Sequence, residues 1–103
     1  MTNRELLELA ARAAGITHEG LDDPDDETSG LWVSWATSWN PLTDDGDALR
    51  LAVKLRLAVD VGQEATHVYS SDKGIVEPLD TDPYAATRRA IVRAAAEIGR
   101  NMK

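Results

Sequence analysis

Leu57-Ala58-Val59-Asp60-Val61-Gly62 is the stretch whose reading decides the fold. It follows a helical pattern and is either that helix's last turn or a new strand. Ala58-Val59-Asp60-Val61 alternates and Gly62 stops the run, which favours a strand. Upstream, Thr43 to about Arg56 reads as the helix. Thr43 or Asp44 is its N-cap, Asp45 and Asp47 suit its positive end, and Ala48, Leu51, Ala52 and Leu55 form a stripe that Leu49 and Val53 widen.

Working outward, Leu31 to Thr37 reads as one strand, with Leu31, Val33 and Trp35 on one face and Trp32, Ser34 and Ala36 on the other. Trp39-Asn40-Pro41 makes a turn. Ala65 to Ser70 is the next strand, with His67 and Tyr69 opposed to Thr66 and Val68. Ser71-Asp72-Lys73-Gly74 is a turn, and Gly74 to Leu79 supplies a short strand ended by Pro78. Helices close both ends of the pattern. Thr2 and Glu5 have capping-box spacing before Leu6, Leu9, Ala10 and Ala13, and Gly15 can end that helix with φ > 0. Asp82 caps a final helix with Pro83 in its first turn and Ile91, Ala94, Ala95 and Ile98 as its stripe. The expected order is α-β-α-β-β(-β)-α. It describes one α+β domain over residues 1–103, with a small, mostly antiparallel, three- to four-stranded sheet flanked by three helices. A strand–helix–strand crossover at residues 31–61 offers one parallel pair.

Composition narrows the chemistry. There is no cysteine, which excludes disulfides, thiolate nucleophiles and cysteine-ligated metal centres. No leader-like apolar run follows Met1 and no segment approaches a membrane span, so a cytoplasmic protein is expected, with no membrane partner. Net charge is −7, and its placement is uneven. Thr17 to Asp47 holds nine acidic residues and no Lys or Arg, whereas Pro83 to Lys103 holds five basic residues against Glu97 alone. The acidic middle disfavours direct nucleic-acid binding.

No constellation carries a recognisable catalytic pattern. Asp22, Asp23, Asp25, Asp26 and Glu27 offer hard oxygen ligands, but Pro24 breaks the alternation a calcium loop needs, and a solvated loop is the simpler reading. His18 and His67 lack partners at ligand spacing, and no serine sits in a nucleophile elbow. The seven glycines are isolated, so no phosphate loop is expected. Neither an enzyme nor a cofactor is therefore expected. Arg88, Arg89 and Arg93 make a basic side on the last helix, which is read as solvated or paired with the acidic middle of this or another copy. Trp32, Trp35 and Trp39 are candidates for the core in a chain without Phe. Trp39, past the strand end, is equally a candidate partner contact.

Three segments read together carry a resemblance: Glu5-Leu6-Leu7-Glu8-Leu9-Ala10, the run from Trp39-Asn40-Pro41-Leu42-Thr43 to Leu49, and Ala86-Thr87-Arg88-Arg89-Ala90-Ile91 to Ala96. They resemble a family of small bacteriophage and prophage proteins, the phage α-β-α sandwich domain family. The resemblance covers most of the chain but not Glu19 to Glu27. It implies a compact α/β fold and expression in an infected or lysogenic bacterial cell, and it carries over no active site. Two functions follow as expectations. One is a non-enzymatic phage or prophage accessory protein that binds a host or phage protein, with a homodimer possible. The other is an acidic nucleic-acid mimic that blocks a DNA-binding protein. Expected partner contacts are Trp39, Asp22, Asp23, Asp25, Asp26, Glu27, Asp44 and Asp45.

Overall fold

A computed structural model of the chain describes residues 2–17, 20–21, 30–34, 37–70 and 74–102. Among the described residues, three helices and six short strands follow in the order α1 (Asn3–Ala14), β1 (Gly20–Leu21), β2 (Leu31–Ser34), β3 (Thr37–Trp39), α2 (Asp45–Lys54), β4 (Ala58–Val61), β5 (Ala65–Tyr69), β6 (Gly74–Pro78) and α3 (Pro83–Arg100). The fold is α+β, as expected. Its strands form two antiparallel three-stranded sheets, ordered β1-β2-β3 and β4-β5-β6.

The helix ends obey their local chemistry. Thr2 accepts a hydrogen bond from the Glu5 N–H, and Gly15 at φ 71° donates to the carbonyls of Ala11 and Arg12. Ile16 folds back, donating to the Ala11 carbonyl at 2.9 Å and packing on the core. Asp44, and not Thr43, caps α2 by accepting from the Asp47 N–H. Asp82 caps α3 by accepting from Tyr84 and Ala85, with Pro83 next in the chain, where its missing N–H costs nothing.

Three sequence expectations change. The strand read over residues 31–37 is a hairpin, because β2 ends at Ser34 and β3 opens at Thr37, its antiparallel partner. The residues between them include none of the Gly, Asn or Asp that mark tight hairpins, so nothing in the pattern announces the reversal. Within the stretch read as a loop, Gly20 and Leu21 pair with Trp32 and Leu31. No parallel pair forms among the described residues, since the strands before and after α2 belong to different sheets.

The long helix α3 is the organising element. It packs against α1 on one flank, α2 on another, and β5 and β6 on a third. Burial therefore runs almost round it, at Ala86, Ala90, Ile91, Val92, Ala94, Ala95, Ala96 and Gly99. Small side chains permit this crowding. A Cβ on Gly99 would lie 1.9 Å from the Leu9 carbonyl oxygen, so α1 and α3 meet backbone to backbone there. Leu7, Leu31, Val68 and Val92 are the largest apolar side chains fully enclosed, each contributing roughly 1.5–3 kcal/mol by leaving water.

Candidate functional site

The second sheet meets α3 with one face only. Val68 and Thr66 of β5 are buried beneath the helix, and the Thr66 hydroxyl, at 0% exposure, bonds the Thr87 hydroxyl at 2.8 Å. The register pairs Val59 with Val68 and Val61 with Thr66, so both valines of β4 face the same way as these buried residues. Both remain partly open to solvent, Val59 at 38% and Val61 at 56% exposure.

A second apolar surface faces this one. In α2, Ala48, Leu51 and Ala52 are buried, while Leu49 is 65% exposed and Val53 is also open to solvent. These two were expected to widen the core stripe. Leu49 instead lines a groove of about 570 Å³ between α2 and β4, floored by Ala48, Ala52, Thr87 and Ile91, and Val53 lies on the solvent side of α2 outside that groove. Tyr84, at 69% exposure, stands at the α3 end of the groove beside Pro83. The lining is almost all carbon. Of its polar groups, Thr87 is already bonded to Thr66, and Arg88 and Asp45 are bonded to each other at 2.6 Å.

Of the expected partner contacts among the described residues, Asp45 alone reaches this groove. Trp39 is 7% exposed and part of the core, so the partner-contact reading of Trp39 gives way to the core reading. Asp22, Asp23, Asp25, Asp26 and Glu27, with His18 and Trp35, lie outside the described residues. Asp44 is the α2 cap, and Asp45 sits at the groove's rim in its pair with Arg88. Asp47 accepts from the Asn40 N–H at 2.9 Å and from Arg50 at 2.7 Å. These three acids thus make bonds within their own chain that fix the turn at residues 40–43 and the start of α2.

Arg88, Arg89 and Arg93 of α3 do not make one patch. Arg88 turns toward α2, donating to the Leu42 carbonyl at 2.9 Å as well as to Asp45. Arg89 and Arg93 line a separate hollow with Leu6 and Ile75, where Arg93 pairs with Glu77 of β6. On the outer sheet face the His67 Nδ1 lies 2.9 Å from the Tyr69 hydroxyl. Among the described residues, no group of three acidic or histidine side chains is placed to hold a metal ion, and no helix is long and apolar enough to cross a membrane.

Comparison with protein-family models, with curated proteins and with solved structures finds no match to this chain.

Proposed function

We propose that the chain is a non-enzymatic accessory protein of phage or prophage, working in the bacterial cytoplasm, that binds a host or phage protein through the groove between α2 and β4. One observation carries the binding role. Leu49, Val59, Val61 and Tyr84 are all exposed and line one groove. Scattered apolar residues on a surface need no explanation, but a contiguous apolar concavity rimmed by charge is the usual mark of a partner surface. Burying such side chains supplies affinity, and the polar rim supplies register. A non-enzymatic role is supported by the lining itself, where the Thr87 hydroxyl is bonded to Thr66 and Asp45 is paired with Arg88. Phage origin rests on the resemblance of the three segments named above. The acids of the nucleic-acid mimic that fall among the described residues are engaged in capping and ion pairs, so no observation favours that second reading.

The test is affinity capture from bacterial lysate with the wild-type chain and with Leu49→Arg as bait. Leu49 is exposed and Arg is as good a helix former as Leu, so the variant keeps the fold. A discrete partner that the wild type holds at high salt and the variant loses supports the groove. A partner held equally by both refutes it.

A further inference from the structure

Edge strands of this sheet differ, and the hydrogen-bond pattern says how. The Gly62 N–H donates to the Ala65 carbonyl at 2.9 Å. In an antiparallel ladder, hydrogen-bonded pairs alternate with non-bonded ones. With Asp60 opposite His67 and Ala58 opposite Tyr69, those two pairs are also hydrogen-bonded, and Val59 and Val61 occupy the non-bonded positions. Their N–H and C=O groups therefore point away from β5, toward the open side of β4. The side chains of the same two residues line the groove. Backbone donors and acceptors and an apolar trough thus lie side by side along one edge.

The other edge is blunted. The Leu79 N–H donates to the Glu64 carbonyl at 3.1 Å. By the same alternation Gly74, Val76 and Pro78 turn their backbones outward from β6. Pro78 has no N–H to offer, a common protection of sheet edges.

We infer, resting on the groove as the partner site, that its occupant is an extended segment of the partner protein that adds to β4 as a fourth strand and carries a basic residue between two apolar ones. The two apolar side chains lie opposite Val59 and Val61 and point into the groove, over Ala52 and Ile91. The residue between them lies opposite Asp60 on the outer face. Asp60 is exposed and makes no ion pair with another described residue. Like charges directly across two strands are destabilising and opposite charges stabilising. Asp60 therefore selects Lys or Arg at that position, in keeping with a chain whose net charge is −7. The same residue argues against a second copy. Antiparallel self-pairing that sets Val59 opposite Val61 places Asp60 against Asp60 at a non-hydrogen-bonded position, where side chains approach most closely.

The probe is a capped nonapeptide with Val-Lys-Val at its centre and Ser and Thr on both sides, titrated into the isotope-labelled full chain and followed by NMR and amide exchange. The Lys peptide is expected to protect the Val59 and Val61 amides and to bind about fivefold more tightly than the same peptide with central Glu. Asp60→Lys should reverse that preference. Val59→Pro removes an N–H that β5 does not use, at an edge position where Pro is tolerated, and should weaken the Lys peptide about tenfold at an unchanged melting temperature. Equal binding of both peptides, no binding of the Lys peptide at millimolar concentration, protection elsewhere than Val59 and Val61, or a dimer by sedimentation that Val59→Pro dissolves would each overturn the proposal. If Leu49→Arg abolishes lysate capture while the peptides fail in these ways, the groove stands and strand addition falls. If Leu49→Arg leaves capture intact, both fall.

Discussion

Replacing Gly99 by alanine should push α1 away from α3. The added Cβ would sit 1.9 Å from the Leu9 carbonyl oxygen, 2.8 Å from its carbon and 3.3 Å from the Ala13 nitrogen. These are backbone atoms and cannot rotate aside, so the helices must separate by roughly 1 Å or more. A gap of that size forfeits a quarter to a half of each dispersion contact it opens. The two helices bury Ala10, Ala11 and Ala14 of α1 and Ala95 of α3. Overpacking costs about 1–3 kcal/mol when flexible side chains share the strain. With rigid backbone the upper end applies, and the helix-propensity gain of about 1 kcal/mol recovers only part of it. The net expectation is a loss of about 2 kcal/mol, read as a fall in melting temperature of roughly 8–16 °C for a domain of this size. Urea unfolding followed by far-ultraviolet circular dichroism and tryptophan fluorescence measures it, with coincident transitions as the check on two-state behaviour. Gly46→Ala is the matched control, because its Cβ meets only the ends of the Arg50 and Asp44 side chains, at 3.2 Å. That variant should equal or exceed wild type by up to about 1 kcal/mol. If Gly99→Ala behaves like Gly46→Ala, the close approach of α1 and α3 is wrong.

Other outcomes follow from single contacts. Thr87→Ala leaves the fully buried Thr66 hydroxyl without its partner and should cost about 1–3 kcal/mol, whereas Thr66→Val with Thr87→Ala should recover much of that loss in the same urea assay. Arg88→Ala should destabilise more than Asp45→Asn, since Arg88 also serves the Leu42 carbonyl while Asp45 is a largely exposed ion-pair partner, worth at most about 1 kcal/mol. Asp82→Ala removes the acceptor for two N–H groups of α3 and should cost about 1 kcal/mol by thermal unfolding.

Much of this fold is legible in the sequence because its helix ends are written in residue chemistry. Thr2 with Glu5, Gly15, and Asp82 with Pro83 each act where their side chains or torsions dictate. The alternation at Ala58 to Val61 does mark a strand. The hairpin of β2 and β3 was illegible because its reversal lacks turn residues, and β1 because two residues are too few to show a period. The groove was illegible for a different reason. Leu49 falls beside Ala48 and Ala52 in the same helical stripe, and period alone cannot tell a side chain facing a core from one facing an open trough. Only the placement of β4 one strand beyond the cover of α3 separates them. The one available signal was an apolar stripe on α2 broader than a short surface helix requires. Trp39 is open between core and partner contact in the sequence, since it lies beyond the expected strand end, and β3 carries it into the core.

The most direct test of the groove as a partner site is site-specific photo-crosslinking in bacterial cells expressing the full chain. A benzophenone side chain is placed singly at Leu49, at Val61, and at Tyr69, which is exposed on the opposite face of the sheet. A discrete protein adduct from positions 49 and 61, and none from 69, is the predicted result. Adducts from position 69 alone, or equally from all three, would contradict it.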